Sequence, residues 1–503
     1  MAGARYLSID CGLTATKAAV FDDAGNELSC AARDTEVRSV GDASEIDMEV
    51  QWNRAAEAVR EAVARAGSSG RGIACVAVSG HGGGLYPIDE AGKPLRAALT
   101  SMDGRAAAIV AKAESEGFPT FSKTRHRPWA GQMLPQLRWL KETAIGDYER
   151  SRWFLGAKDW VRYRLSGSAG TDRTDASNNG LVDIEAEAYD PDLLAAFGVR
   201  EAFPKLPPVS SSGSLVGVVS PAAARETGLA EGTRLAAGMF DVVACAVGSG
   251  AVGEEAYSII AGTWNVNSAF DARLLRAPPS VKTSLGPDEG RYAYVESSAT
   301  SAGNLSWFLA VAEDICGLGA SPEVRGTSLR RVDAAVESCP VGARGAVYLP
   351  FIRRSYIAPG VEGSFVGLRV EHGAGEMARA VFEGVAFAHR AHLERLESAG
   401  LHRERVLLSG GATKSDAWCR IFAGALGRPV ETSDASQAGA RGVAMGAAIA
   451  TGRYATYEEA SAAMTRVARR YEPAASEAAA YDAAYRRWLE AAALLGRFPA
   501  EGT

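Results

Sequence analysis

No uncharged apolar run in this sequence approaches the roughly 20 residues a membrane span needs, so a membrane partner is not expected. No Lys/Arg cluster stands out against a formal net charge of -6, which argues against nucleic acid and anionic lipid as main partners. A locally basic pocket for a phosphorylated cofactor remains compatible with that balance. Cysteine is sparse: Cys11, Cys30, Cys75, Cys245, Cys316, Cys339 and Cys419 form no C-x-x-C, are odd in number, and in places sit in apolar stretches such as Ile73-Ala74-Cys75-Val76. They read as reduced core side chains of a cytoplasmic protein. The six histidines give no H-x-x-x-H, and His389 and His392 are only three apart, so no zinc site is expected. Tyr6-Leu7-Ser8-Ile9-Asp10 already reads as a strand, which leaves no room for a signal peptide.

Several catalytic signatures are also missing. There is no Walker A sequence, so any ATP binds without a P-loop. His81-Gly82-Gly83-Gly84 resembles the oxyanion loop of esterases, but the chain holds no G-x-S-x-G nucleophile elbow to serve it. Gly248-Ser249-Gly250-Ala251-Val252-Gly253 fits G-x-G-x-x-G, yet it follows a helical pattern and precedes a strand, the reverse of a dinucleotide-binding unit.

What is present is an ordinary globular balance, 47% hydrophobic and 23% charged, over 503 residues. That length predicts two domains, and the restart of a strand–turn–strand pattern near Glu254-Glu255 places the boundary at about residue 250. Strand patterns over 6–10 and 17–21 flank Cys11-Gly12-Leu13-Thr14-Ala15-Thr16, and Asp22-Asp23-Ala24-Gly25 supplies the next turn. A helix over 52–66 presents Ala55, Ala56, Val59, Ala62, Val63 and Ala66 on one face, and 73–79 reads as a short buried strand. Residues 105–240 are less regular and read as helical insertions closing over a cleft. Strands over 257–261 and 266–270 around Gly262-Thr263-Trp264-Asn265 then echo the opening unit, which makes a duplicated α/β architecture plausible. A helix over 376–398, a strand over 406–408, a Gly-Gly turn and a helix over 415–426 follow, and the Ala-rich tail from 474 reads as helical.

Three constellations carry chemistry, each with a plain structural alternative. Asp10 ends a buried strand, where a carboxylate is costly unless a cation or donors meet it. Gly12, Thr14, Thr16 and Lys17 behind it offer close backbone approach, hydroxyls and an ammonium to phosphate oxygens, with Asp10 holding Mg²⁺ through water; equally, they are a capped hairpin turn. Asp241, in Gly238-Met239-Phe240-Asp241-Val242-Val243-Ala244, opens a helix whose dipole favours the anion, which also fits a simple cap. Gly410-Gly411 stands between a strand and a helix in Leu408-Ser409-Gly410-Gly411-Ala412-Thr413-Lys414-Ser415, as a ligand against backbone requires and as any tight turn allows.

In combination the chain resembles the FGGY carbohydrate kinase family, from Asp10 to about Ala450. Asp10-x-Gly12-x-Thr14-x-Thr16-Lys17 is similar to the family's first phosphate motif, and Glu45-Ile46-Asp47 with Trp52 to its acidic stretch before a Trp-bearing helix. Ser101-Met102-Asp103-Gly104-Arg105 looks like the sugar-side D-x-R segment. Lys158-Asp159-Trp160 and Thr171-Asp172 with Asp175-Ala176-Ser177 look like the interior of its first domain. Ala261-Gly262-Thr263 resembles the second phosphate motif, and Leu349-Pro350-Phe351 with Pro359 the mid-domain loop. Gly410-Gly411-Ala412-x-x-Ser415 with Trp418, then Gly446-Ala447-Ala448, resembles the C-terminal adenosine-side signature. The resemblance implies an α/β fold of two actin-like/ribonuclease H-like domains flanking a central cleft, with 1–250 binding sugar and 251–503 binding ATP. It makes Asp241 the catalytic base and puts Asp10 at the Mg²⁺-phosphate site. Thr14, Lys17, Gly262 and Thr263 then face the transferred phosphoryl group, Gly411 and Ser415 the nucleotide, and His81, Gly82, Asp103 and Phe240 the sugar.

The implied reaction is ATP-dependent phosphorylation of a hydroxyl on a small sugar or polyol. The carboxylate orients the weakly nucleophilic alcohol and takes its proton. Glycerol kinases of the family carry Arg-Glu at the first substrate loop and D-xylulose kinases Gln-Met-His, whereas this chain has Gly80-His81-Gly82-Gly83-Gly84-Leu85-Tyr86. That loop and Met239-Phe240-Asp241-Val242-Val243 look more like the branch handling L-xylulose, 3-keto-L-gulonate or erythritol, so a pentulose or short polyol is expected. The alternatives are an actin-like ATPase and a non-catalytic sugar sensor on the same fold. The first would lack a sugar-side base, and the second normally adds a DNA-binding module. A homodimer is compatible with the sequence, which does not fix the oligomeric state.

Overall fold

Arg5–Cys11 (β1) is buried on both faces, as its nearly continuous apolar run demands, and its one internal hydroxyl, Ser8, donates to the Ala440 carbonyl at 2.6 Å. The computed structural model describes residues 3–68, 70–262, 264–317, 321–353 and 357–497. It divides the chain into two compact units, the first made of residues 1–253, 270–294 and 435–466 and the second of 254–269, 295–434 and 467–503. Among the described residues no helix is long and apolar enough to cross a membrane.

In the first unit β1, Ala15–Asp22 (β2) and Glu27–Asp34 (β3) form an antiparallel meander. The helix Met48–Arg65 (α1) starts one turn before the expected 52–66, because the Asp47 carboxylate caps it by accepting from the amides of Glu49 at 2.9 Å and Val50 at 3.0 Å. Its buried face of Trp52, Ala55, Ala56, Val59, Ala62 and Val63 joins Leu7, Ile9, Val76 and Val78 in one core. Ile73–Gly80 (β4) runs parallel to β1, and Leu215–Val218 (β5), Arg234–Ala236 (β6) and Met239–Phe240 (β7) complete the sheet in the order β5-β6-β4-β1-β2-β3, with β7 also on β4. The irregular stretch before β5 holds Met133–Thr143 (α2), Ala157–Ser166 (α3) and Arg173–Asn178 (α4). It builds an apolar cluster of its own from Leu85, Leu134, Leu137, Phe154 and Leu194. Asp241–Ser249 (α5) follows β7 directly and ends at Gly250 in the left-handed region (φ +102°), so the Gly-x-Gly of 248–250 terminates a helix.

The second unit repeats the theme. Ala256–Ala261 (β8) and Asn265–Asp271 (β9) form an antiparallel hairpin; the chain then returns to the first unit, where Lys282–Leu285 (β10) lies on α4 with Leu285 N donating to Ser177 Oγ at 3.0 Å. Tyr292–Ser298 (β11), the long helix Ala374–Ser398 (α6), Arg405–Ser409 (β12), Asp416–Leu426 (α7) and Val430–Ser433 (β13) follow. β8 pairs in parallel with β12 as β1 does with β4, so each sheet contains a hairpin whose first strand has a parallel neighbour. Trp418 of α7 stacks on Phe382 of α6 at 4.6 Å, and the tail helix Ala478–Leu495 buries Trp488. Ala438–Ala450 (α8) belongs to the first unit, and Val467–Tyr471 (β14) closes the second sheet against β13.

α8 packs on α5 through small residues. A β-carbon at Gly248 would lie 1.8 Å from the Ala438 carbonyl oxygen, and one at Gly442 2.0 Å from that of Ala244, so these helices touch backbone to backbone. Arg441 then donates to the Gly248 carbonyl at 2.9 and 2.8 Å, covering a C-terminal carbonyl of α5. Gly446, Ala447 and Ala448 are buried in α8 within this unit.

Candidate active site

Three neighbouring strands of the first sheet end at one edge. Asp10 of β1 stands opposite Ser79 of β4, and Phe240 of β7 opposite Gly80 of β4, so the residues leaving the sheet there are the Gly12–Thr14 turn, His81 and Asp241. The carboxyl ends of parallel strands are where open α/β sheets place ligands.

Asp10 is half-buried and accepts from Ser79 Oγ at 2.8 Å. Burial pushes its pKa up, against the pull of Ser79 and of Lys17, its cross-strand partner. Lys17 donates to Gln437 Oε1 at 3.0 Å. Thr14 is exposed at the turn, which Thr35 holds by donating its amide to the Thr14 carbonyl at 2.9 Å and its hydroxyl to the Gly12 carbonyl at 2.9 Å. Asp241 is the first residue of α5, and burial, then the Asp10 charge, lift its carboxyl well above the usual range, opposed by its helix-start environment at Val242 and by Lys282. Two carboxylates that raise one another's cost of ionisation are what a cation or a cationic ligand relieves.

His81 is buried, donates its amide to the Cys11 carbonyl at 3.1 Å and shares its Nε2 with the Tyr86 hydroxyl at 3.2 Å. Burial lowers its pKa to about 4, so it is a neutral imidazole at physiological pH, and its Nδ1 has no partner. Gly82 is required by space: a β-carbon would lie 2.3 Å from Asn178 Nδ2 and 2.4 Å from Phe240 Cε2. The structure therefore brings Asp10, His81, Gly82, Phe240 and Asp241 together. Asp103 is different. Its buried carboxylate takes Arg105 on both oxygens, at 3.1 and 2.7 Å, and the Ser44 amide at 2.9 Å, and none of these contacts reaches Asp10, His81 or Asp241.

Behind this edge lies a buried charge cluster. Lys158 Nζ sits 2.5 Å from Asp159, 3.0 Å from Asp172 and 3.6 Å from Asp175. Asp172 also accepts from the Thr174 hydroxyl and from Ser212, both at 2.7 Å, and Thr174 Oγ1 in turn accepts from the Phe240 amide at 2.9 Å. The cluster thus ends on the peptide that delivers Asp241. Three carboxylates around one ammonium leave Asp175 raised to about 7, burial being the first cause. No local sequence pattern marks the remaining neighbours: Lys282 of β10 donates to Asn178 Oδ1, lies 3.9 Å from the Trp129 ring centre and 5.7 Å from that of Phe240.

In the second unit, Ile260 of β8 pairs with Ser409 of β12, so Gly262 and Gly410–Gly411 leave neighbouring parallel strands side by side. Gly410 has φ +91° and its absent β-carbon would lie 2.7 Å from the Ala261 carbonyl; the two turns meet through backbone, with Gly411 exposed beside them. Ser415 caps α7 by accepting from the Trp418 amide at 3.0 Å and donates to Asp333 at 2.7 Å, so its hydroxyl is committed within the fold. Thr263 lies outside the described residues. His389 bonds Asn267 and Ser301, at 2.8 and 3.0 Å, and His392 bonds Glu296 and Ser298, both at 2.8 Å; they are satisfied core groups, and no cluster of three or more His, Cys, Asp or Glu suited to a metal occurs among the described residues.

The family model for the N-terminal domain of the FGGY family of carbohydrate kinases matches residues 5–248, and that for the C-terminal domain residues 257–451. The chain is 30% identical over 490 residues to the probable L-xylulose kinase of Pasteurella multocida (strain Pm70), covering 96% of this chain and 98% of that one. It is also 30% identical over 500 residues to the L-xylulose/3-keto-L-gulonate kinase of Escherichia coli (strain K12), with 98% of each covered. The crystal structure of xylulose kinase from Rhodospirillum rubrum matches with a TM-score of 0.88 at 26% identity over 98% of this chain and 99% of that one, which places the mixed α/β architecture among two-domain actin-like/ribonuclease H-like kinases. Matched in both halves and along its length, the chain belongs to the FGGY family of carbohydrate kinases, enzymes that transfer a phosphoryl group to a hydroxyl of a sugar or polyol.

Proposed function

We propose that this enzyme phosphorylates one hydroxyl of a short ketose or polyol, a pentulose or tetritol in size, with ATP as donor and Asp241 as the base. The observation that carries the reading is the edge shared by β1, β4 and β7, where Asp241 stands electrostatically coupled to Asp10. The names of the relatives, L-xylulose kinases among them, point to the same acceptor class.

The acceptor hydroxyl donates to the Asp241 carboxylate, which fixes the oxygen's direction and takes its proton as the P–O bond forms. A raised pKa suits that task, because a more basic carboxylate accepts the proton more readily once ionised. Gly82 lets Asn178 and Phe240 close against the backbone next to Asp241, and beside it His81 is a buried, neutral imidazole. In the first unit, Thr14 and Lys17 at the first turn are the donors assigned to the transferred phosphoryl group; in the second unit, the backbone at Gly411 is the candidate for the nucleotide. Ser415 contributes by holding the start of α7 after Gly411. Mg²⁺ fits Asp10: the carboxylate has one oxygen bound by Ser79 and a raised pKa that a cation would relieve, as suits an ion that keeps water and phosphate ligands. When bound, it neutralises charge on the phosphoryl oxygens.

A coupled ADP-release assay over ketoses and polyols tests this. Turnover is expected on at least one pentulose or tetritol and near-complete loss in Asp241→Asn. Steady ATP hydrolysis indifferent to every sugar, or a variant that keeps most of its turnover, overturns it.

A further inference from the structure

Lys282 is a half-buried ammonium with neutral partners only. It donates to the Asn178 amide oxygen and lies over the Trp129 ring at 3.9 Å. Among the described residues no carboxylate lies within ion-pair distance of it, whereas Arg105, Lys158 and Arg173 of the same unit each rest on one. Taking an ammonium out of water without a counter-ion is costly, and an amide and a ring face offset only part of that. Burial accordingly lowers its pKa to about 7, while Asp175 and Asp241 hold it up from a distance; the Lys282 charge in turn presses the buried imidazole of His126 down. Lys282 thus shares the neighbourhood of Asp241 and Phe240 with one anionic partner missing.

We propose that the missing partner is a carboxylate carried by the acceptor, so that Lys282 selects a sugar acid, a ketose whose end remote from the phosphorylated hydroxyl is oxidised, over the neutral ketose. Asn178 and Trp129 aim the ammonium; Asp241 addresses the reacting hydroxyl. The inference rests on the proposed acceptor site at Asp241 and narrows it to a substrate class. A short chain with one hydroxyl at Asp241 and a carboxylate at Lys282 is held at both ends, which fixes register as well as charge.

The test compares L-xylulose with 3-keto-L-gulonate on the wild type, Lys282→Met and Lys282→Arg, by ADP release and by calorimetric titration of each sugar without nucleotide. The wild type is expected to have the higher kcat/KM on the acid. Lys282→Met should lose about 10- to 100-fold in kcat/KM on the acid, mostly through KM, and less than about threefold on L-xylulose, with Lys282→Arg recovering part of the loss. The L-xylulose kinetics report whether each variant folds. Equal losses on both sugars would make Lys282 a structural or Asp241-positioning residue, and a wild type that uses L-xylulose but ignores the acid overturns the proposal outright. If neither sugar is phosphorylated, the kinase reading is left to the wider screen of ketoses and polyols, and titration decides this one: Lys282-dependent heat with the acid supports it, and none overturns it.

Discussion

Asp241 is placed where ionisation is hard, and this has a consequence for stability as well as for rate. A carboxyl whose folded pKa lies above its unfolded value holds its proton in the fold while the unfolded chain has released it, so stability falls as pH rises from the ordinary carboxylate range toward the raised pKa and stays lower beyond it. Asp241→Asn should therefore cost about 10²–10⁴-fold in turnover yet leave Tm unchanged or higher at pH 8, with less difference at pH 4. In the wild type the acid limb of kcat/KM should lie above the usual carboxylate range. A variant that lost both activity and stability would make Asp241 a structural cap. Gly82 makes the opposite case, a residue important for what it lacks. Gly82→Ala puts a methyl within 2.3 Å of Asn178 and 2.4 Å of Phe240. It should cost about 1–3 kcal/mol in denaturant unfolding and raise KM for the sugar more than it lowers kcat. Asp10 and Asp241 stood out in the sequence because each follows a short apolar strand, although each also fitted a plain cap or turn, whereas His81 and Gly82 entered only through the family resemblance. Lys282 did neither, because nothing around it in the chain differs from an ordinary strand start; its meaning comes from Asn178 and Trp129, far away in sequence.

At the scale of elements, the same contrast separates turns from the supports behind them. The hairpins β1–β2 and β8–β9, the Gly-Gly turn after β12 and α7 could all be read from period and punctuation, and Asp47 lengthened α1 only by adding a cap that the apolar face does not report. The stretch between β4 and β5 could not be read so closely. Its order comes from the Lys158 cluster and its chain of bonds through Asp172 and Thr174 to the Phe240 amide, which are contacts among residues whose spacing carries no period. Lys158→Met should expose what that cluster does. It leaves Asp159, Asp172 and Asp175 buried without their cation, a loss of about 3–5 kcal/mol. Without the ammonium that opposes it, the raised pKa of Asp175 rises further, so the destabilisation must grow with pH; unfolding at pH 5 and pH 8 checks the sign. Since α4 and β7 are both tied to the cluster, kcat should fall even where the protein remains folded, and a Lys158→Arg variant should restore stability before rate.

At the scale of the molecule, the first unit is assembled from three stretches of chain, and the last is no appendage. α8 touches α5 through Gly248 and Gly442, covers the end of α5 with Arg441, takes the Ser8 hydroxyl of the central strand on Ala440, and receives Lys17 just before its first residue, at Gln437. β10 seals α4 with the Leu285 amide and brings Lys282 to the edge where Asp241 stands. A sequence reader sees a new strand–turn–strand unit begin after residue 250 and places the division there, because periodicity reports where a motif starts and not which sheet a later helix returns to. Physically, a chain cut at residue 250 would leave Ala244 and Gly248 with a bare backbone face, Ser8 with a buried hydroxyl and no acceptor, and the carboxyl edge without Lys282. Each buried polar group stranded this way costs about 1–3 kcal/mol, and several together are comparable with the whole stability of a domain. The isolated fragment 1–250 should therefore lack a cooperative thermal transition and protected amides in β1 and β4, and co-expression with 251–503 should restore both. A fragment that melts sharply by itself, with slow exchange in β1, would mean that α8 and β10 only decorate a core already complete.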